Sequence, residues 1–461
     1  MELKVKTEYG YVLGKDTPRC AQYLGIPYAK PPLGELRFRH PVKPDPWDEA
    51  KECRQAKNNP IQRPGGYEYR ECCSEDCLYL NVYVPHNLER KVPVMVWIHG
   101  GAYEQGGNGR AHEGKEELNY DLSSFCEATK TVVVALSYRL NVFGFLYLHA
   151  FSDRFDANNG LYDLKMGLEF VKDNIENFGG DKDNITVFGE SAGGALTLAC
   201  LSSDLTSPLF HKAISQSPCV DHFFDRKLAE KIAKMYIKAL KVKDVDEIAS
   251  LSVGKLRSVM NKVADSFMMK GHIEPPFSPT IDGEFLKELP SLKIKKERTH
   301  PLLIGTISHE GDLFLKDLSK FLIVLMNLVT PVKAKKGKDR FWMRSSDALT
   351  DHVFLLPSED IAYNYKGDAY MYYYDYTTLE VRQKGCRCYH GADIAPLFDI
   401  SFSLGSKDDP NLIPIGKYMK EIWKSFAYGK LDLKPYKENR DRLLITLDTS
   451  IAYLEKEAKP E

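Results

Sequence analysis

Between Gly189 and Gly194 the chain reads Gly-Glu-Ser-Ala-Gly-Gly, entered from the β-branched run Asn184–Phe188 and left through the helix-forming stretch Ala195–Cys200. That predicts a strand, a sharp turn and a helix, with Ser191 at the tip. Small residues on either side of the serine let the backbone turn tightly and push the hydroxyl into the open. Taken alone, the pattern also describes an ordinary glycine-rich turn between strand and helix, and a chain with 32 glycines will contain some by chance. The remaining sequence has to decide between the two.

Much of it alternates buried-type strands with helical stretches. Val92–Ile98 and Thr131–Tyr138 are near-continuous apolar runs of the kind found in central parallel strands. Leu161, Leu164, Leu168, Val171, Ile175 and Phe178 recur at steps of three and four and form one helical stripe, ended by Gly179-Gly180. Tyr23–Tyr28 and Leu78–Val84 read as strands of a mixed, partly antiparallel N-terminal portion; Leu302–Thr306 and Ala369–Tyr374 restore the strand pattern late. The irregular, helical stretch from Leu228 to Val263 reads as an excursion over the sheet that builds a pocket. At 461 residues the chain fits either two domains or one large α/β unit with insertions.

Charge and composition narrow the partners. Basic and acidic residues number 63 and 64, so no net field recruits nucleic acid or an anionic membrane, and a small neutral molecule is the expected partner. Met1–Tyr9 alternates charged with apolar residues, which predicts an edge strand rather than a secretion signal. The longest apolar run, Phe321–Met326, is broken by Asn327 and is far too short to span a bilayer. A soluble, cytoplasmic protein, monomeric and with a frayed tail at Glu455–Glu461, is the expectation. The ten cysteines include Cys72-Cys73 and Cys386-Arg-Cys388, but no second pair stands at zinc-ligand spacing; free, mostly buried thiols and no metal are expected.

A serine hydroxyl becomes a useful nucleophile when an imidazole takes its proton and a carboxylate fixes the tautomer of that imidazole. With the serine on an elbow, acid and histidine should follow it in that order, on loops after later strands. Glu310 lies directly after the strand Leu302–Thr306, and His390 follows the strand Ala369–Tyr374. Asp312 and Asp393 are the rival acids. Of the other histidines, His40, His86, His112, His149, His211, His222, His272 and His300 read as solvated, His99 as a loop-shaping residue, His309 as a neighbour of the acid, and His352 as a core or supporting histidine. The developing oxyanion needs N–H donors, for which His99–Tyr103 supplies an early loop and Ala192 the residue after the nucleophile.

These residues carry a family likeness. From Gly25–Phe38 through Ser74–Asn81, Tyr138–Leu146 and Asn174–Asp181 to the serine turn, and again at Phe277–Gly283 and Trp423–Ala427, the chain resembles the type-B carboxylesterases, most of all their bacterial p-nitrobenzyl esterase branch. The resemblance implies an α/β-hydrolase fold: a large, twisted, mostly parallel but mixed sheet with helices on both faces. One domain over residues 1–461 would carry pocket-forming helical insertions at approximately 218–300 and 312–368. It implies hydrolysis of small to medium, mostly neutral carboxylic esters without cofactor or metal. Ser191 would be the nucleophile, His390 the base, Glu310 its orienter, and the N–H groups of Gly101, Ala102 and Ala192 the oxyanion hole. It also implies a buried pair between Glu75 and Arg139.

The departures are informative. The family's cysteine partner upstream of Cys77 is absent, leaving Cys53 as an unsupported alternative. The stretch Gly66–Tyr69 has no tryptophan for a quaternary ammonium, and Tyr67 offers only a weaker face, which argues against choline esters. Ala102 brings a methyl group into the oxyanion loop, Gln216-Ser-Pro218 replaces the family's Gln-Ser-Gly, and the interval from Glu310 to His390 is short. A catalytically silent binding protein on the same fold, or the same machinery acting on carbamates, amides or thioesters, stays open on sequence alone.

Overall fold

The computed structural model describes residues 3–64, 72–109, 120–270, 272, 274–297, 300–315, 332–333, 340–341 and 346–447. The expectations for Gly66–Tyr69, for the run Phe321–Met326 and for the tail Glu455–Glu461 lie outside the described residues.

Ten strands form the main sheet: β1 (Lys15–Asp16), β2 (Cys20–Pro27), β3 (Tyr79–Pro85), β4 (Val92–Ile98), β5 (Val132–Leu136), β6 (Gly180–Glu190), β7 (Lys212–Gln216), β8 (Leu302–Ile307), β9 (Ala369–Tyr374) and β10 (Arg442–Ile445). Their spatial order is β10-β9-β8-β7-β6-β4-β5-β3-β2-β1. Every pairing from β10 to β5 is parallel, and the pairings β5–β3, β3–β2 and β2–β1 are antiparallel. The N-terminal strand Lys4–Thr7 sits at the edge of a separate three-stranded sheet.

The continuous apolar runs are explained by two buried faces. Along β4, Val94, Val96 and Ile98 enter one core while Met95 and Trp97 enter the other; β5 divides Val132, Val134 and Leu136 from Val133 and Ala135 in the same way. With both faces covered, no polar residue is needed at alternate positions. Over the first face the helix Asn159–Asn174 lays Leu161, Leu164, Leu168 and Val171, continuing as a 3₁₀ turn over Ile175–Phe178 that ends at Gly179. Over the second, the helix Leu412–Ala427 lays Ile415, Met419 and Trp423. Each large apolar side chain so buried contributes about 1.5–3 kcal/mol.

The segment between β7 and β8 folds into the helices Arg226–Leu240, Val253–Ser258 and Met260–Met268, which share an apolar cluster around Tyr236 and Phe277 with Phe38, Phe143 and Phe155. Between β8 and β9 come the helices Gly311–Leu315, Ser346–Leu349 and Leu356–Asn364, the last two joined through a π turn at Thr350–Leu355. Among the described residues no helix is long and apolar enough to cross a membrane. All ten cysteines are free thiols, and Cys53 and Cys77 lie unbridged in the same core.

The expected pair between Glu75 and Arg139 is not formed. Arg139 instead grips Asp163 through Nε at 2.8 Å and Nη2 at 2.7 Å, and its own N–H donates to the same carboxylate at 3.0 Å. Glu75 accepts from both Nε (2.6 Å) and Nη2 of Arg37. The reason is local. Gly160, in the first turn of the helix Asn159–Asn174, packs so closely on Arg139 that a Cβ there would lie 2.7 Å from the Arg139 carbonyl oxygen, and this brings Asp163 within reach of the guanidinium.

Candidate active site

Ser191 follows β6 without a linker and opens the helix Ala192–Ser202. Its φ of 58° and ψ of −122° lie in a sparsely populated region for a residue with a side chain, a strain of about 1–3 kcal/mol. Neighbouring bonds hold it there: its N–H donates to the Gln216 carbonyl at 2.9 Å, and its carbonyl accepts the Ala195 N–H at 2.9 Å. Gly193 is required for close packing, because a Cβ there would stand 2.1 Å from the Ile98 carbonyl oxygen. The turn leaves Ser191 8% exposed, at the carboxyl end of the sheet.

Three separated loops meet at this hydroxyl. His390 Nε2 lies 2.7 Å from Ser191 Oγ, and His390 Nδ1 lies 2.6 Å from Glu310 Oε2. The other carboxylate oxygen of Glu310 accepts the Ile307 N–H at 2.8 Å, which anchors the acid to the end of β8. The rival acids are engaged elsewhere. Asp312 accepts from Ser346 and Arg387, the latter through its backbone N–H at 2.7 Å; Asp393 accepts from Gln216 at 2.9 Å and from the Tyr372 hydroxyl at 3.2 Å.

Several other histidines are engaged away from Ser191, and His112 lies outside the described residues. His99 stacks on Tyr138 with ring centroids 4.4 Å apart, and burial pushes its pKa down to about 4, so it is a neutral loop residue. His309 bonds Ser308 at 2.9 Å. His352 is exposed, not in the core, because the π turn directs it outward. Of the histidines expected to be solvated, His86 and His149 are exposed, whereas His40, His211, His222, His272 and His300 are partly buried, His40 with its ring centroid 3.5 Å from that of Tyr162 and His300 on the Ser207 carbonyl at 2.7 Å.

The loop after β4 lies against the serine turn, since a Cβ at Gly100 would come within 3.2 Å of Ser191 Cβ. Gly101 (φ 106°), Ala102 (φ 56°) and Tyr103 (φ 60°) all have positive φ, and Gly101 and Ala102 are exposed. The Glu104 and Gln105 N–H groups close on the Gly101 carbonyl at 3.0 and 2.9 Å, which fixes the loop. Ala192 is the first residue of its helix, so its N–H has no intrahelical acceptor and sits at the positive end of the helix dipole.

Four neighbours of the Ser191–His390 pair were not singled out from the sequence. Phe314 and Phe354 place their rings 5.2 and 4.8 Å from that of His390. Phe354 belongs to an apolar cluster with Leu349, Val353 and the partly buried Cys219, whose thiol lies close enough to Ser191 to feel its hydroxyl. Glu190, 3% exposed, brings Oε1 to 3.2 Å from His390 Nε2. Its signal in the sequence is an acid ending an otherwise apolar strand. Burial pushes the Glu190 carboxyl up; burial disfavours the charged form of His390, but the Glu190 and Glu310 carboxyls outweigh that and raise its pKa. Among the described residues no group of His, Cys, Asp and Glu could hold a metal ion.

The family model described as the carboxylesterase family matches residues 1–325. The chain belongs to the carboxylesterase family. Among its relatives, the para-nitrobenzyl esterase of Bacillus subtilis (strain 168) is 37% identical over 322 residues, which cover 67% of this chain and 63% of the Bacillus protein. The rat (Rattus norvegicus) carboxylesterase 1E is 30% identical over 496 residues, covering 92% of this chain and 85% of the rat protein. A solved thermophilic PNB esterase superposes with a TM-score of 0.82 at 27% identity and 96% coverage of both chains. The Geobacillus stearothermophilus carboxylesterase does so with 0.80 at 27% identity, covering 98% of this chain and 97% of its own. The ten-stranded sheet with helices on both faces is the α/β-hydrolase fold of these esterases.

Proposed function

We propose that this carboxylesterase-family protein hydrolyses small to medium, mostly neutral carboxylic esters through an acyl-enzyme on Ser191. The observation that carries the reading is the unbroken hydrogen-bond chain from Glu310 through His390 to Ser191, at 2.6 and 2.7 Å. His390 Nε2 takes the hydroxyl proton as Oγ attacks the ester carbonyl. The oxyanion of the tetrahedral intermediate is held by the N–H groups of Gly101, Ala102 and Ala192. Collapse breaks the ester C–O bond; the proton on Nε2 passes to the departing alcohol, and the acyl group stays on Oγ. Water then enters, gives its proton to Nε2 and attacks the acyl carbon, and the carboxylic acid leaves as Oγ recovers the proton.

The near-neutral charge balance and the Phe314 and Phe354 rings beside His390 support neutral substrates with an apolar part. We place the pocket-forming insertions at residues 218–300 and 312–368, the second of which supplies both rings. Ten free thiols support a reducing, cytoplasmic setting. The name of the Bacillus relative makes p-nitrobenzyl esters the first to try, alongside p-nitrophenyl acyl series, thioesters, carbamates and amides. The test is Ser191→Ala together with a fluorophosphonate probe. Wild type is labelled and turns over esters, and the variant does neither; turnover persisting near the wild-type rate refutes the assignment, and an unlabelled wild type favours a silent binding protein.

A further inference from the structure

We propose that Gln216 is a positioning residue that ties the serine turn to the histidine turn through Asp393. The proposal rests on the esterase reading above. Gln216 ends β7 with no exposed surface and makes three bonds in different directions. Its backbone carbonyl accepts the Ser191 N–H at 2.9 Å. Its side-chain Nε2 donates to Asp393 Oδ2 at 2.9 Å, and its Oε1 accepts from Trp423 Nε1 at 3.3 Å. Asp393, also wholly buried, takes a second donor, the Tyr372 hydroxyl, at 3.2 Å.

Asp393 stands three residues after His390 in a run of tight turns, where the Ala392 N–H closes on the Tyr389 carbonyl at 3.0 Å and the Ile394 N–H on the Gly391 carbonyl at 3.1 Å. One residue therefore holds the strained serine through its main chain and the base's own turn through its side chain. Ser191 and His390 are 199 residues apart, and their 2.7 Å contact depends on such long-range ties. A misplacement of about 1 Å between reacting groups can cost 100-fold in rate.

The tie also sets charge. The Asp393 carboxyl feels the charges of Glu190, Glu310 and His390 and accepts from the Tyr372 hydroxyl; His390 feels Glu190, Glu310 and Asp393, and Tyr374 and Tyr389 feel the Asp393 charge. Burial favours neutral Asp393, and the Gln216 amide opposes this by donating to the carboxylate. Ionised Asp393 in turn helps His390 keep a proton. Without the amide, Asp393 takes up a proton, and the imidazole, having lost a nearby negative charge, releases its own more readily. The acid limb of the rate profile then moves to lower pH. A tie that served packing alone would leave that limb in place.

The experiment follows p-nitrophenyl acetate hydrolysis across pH by the full chain, as wild type, Gln216→Met, Tyr372→Phe, Asp393→Asn and the double variant Gln216→Met with Asp393→Asn. Fluorophosphonate labelling of Ser191 and thermal unfolding count the folded, reactive enzyme. The expected result is a kcat about tenfold lower in Gln216→Met with KM little changed. The acid limb of kcat/KM shifts down by about half to one pH unit in each single variant, with no further shift in the double variant. An unmoved limb in Tyr372→Phe and Asp393→Asn overturns the proposal, as does a double variant whose shifts simply add. If Gln216→Met does not fold, Tyr372→Phe and Asp393→Asn, which keep the buried volumes, still decide. Failure of wild type to label at Ser191 refutes the esterase reading instead, an outcome distinct from an unmoved limb in a labelled enzyme.

Discussion

Replacing Glu310 by glutamine tests the candidate site at its most buried member. The side chain has no exposed surface and serves two donors, the Ile307 N–H at 2.8 Å and His390 Nδ1 at 2.6 Å. Glutamine keeps the shape but has one acceptor oxygen and one NH₂. If the NH₂ faced Ile307, two donors would oppose each other in a buried place, at about 1–3 kcal/mol. The oxygen therefore stays on the Ile307 N–H, and the NH₂ points at His390. The imidazole must then present a lone pair at Nδ1 and carry its hydrogen on Nε2, the atom 2.7 Å from Ser191 Oγ. In that tautomer it cannot accept the hydroxyl proton. The corresponding change in other serine enzymes of this type lowers kcat by about 10⁴-fold, which is about 5 kcal/mol of barrier. Steady-state kcat with a p-nitrophenyl ester should fall by that order, with the thermal unfolding midpoint changed by only a few degrees. A Glu310→Gln enzyme within about tenfold of wild type would refute the reasoning. Greater damage from Asp312→Asn or Asp393→Asn would move the orienting role to that acid.

Three further outcomes follow from the geometry. Asp163→Ala strands the Arg139 guanidinium, whose side chain is only 4% exposed, and should lower stability by about 3–5 kcal/mol in urea unfolding; a loss below about 1 kcal/mol would show that water or another acid compensates. Gly193→Ala drives a methyl group into the Ile98 carbonyl and should abolish ester turnover, whereas Gly254→Ala, where a Cβ meets nothing within 4 Å, should leave turnover intact; equal effects would contradict the packing argument. Glu190→Gln removes a carboxyl that favours the protonated form of His390, so the acid limb of kcat/KM should move to lower pH; an upward shift would reverse the assigned sign.

The strands and helices that position the site were legible because their signals are local. Val92–Ile98 is apolar at every position, and in the fold both of its faces are indeed covered. The stripe from Leu161 to Phe178 spaces its apolar residues by three and four and forms a helix that tightens to 3₁₀ at Ile175, a change periodicity does not register. Strand β10 was not anticipated: Arg442–Ile445 has four residues, and its place beside β9 comes from pairing rather than pattern. At the site, Ser191, Glu310 and His390 could be named because each follows a recognisable strand, and the fold brings their side chains into one hydrogen-bonded line.

Partnership between distant residues was the hidden part. The acids Glu75 and Asp163 and the arginines Arg37 and Arg139 are all present in the sequence, and nothing in their order decides which acid meets which arginine. The decision comes from a missing side chain, Gly160, which lets one helix settle onto Arg139 and bring Asp163 with it. Glu190 was concealed differently. It sits inside the glycine-flanked serine motif, yet the motif's meaning there is backbone curvature, and the carboxyl acts through space on His390, 3.2 Å away. Gln216 joins both kinds of concealment, because its backbone serves Ser191 while its side chain serves Asp393. Curvature, strand and helix can thus be read one segment at a time. The protonation of His390 responds to Glu190, Glu310 and Asp393 from three segments, and becomes legible only when β6, β8 and the histidine turn are assembled.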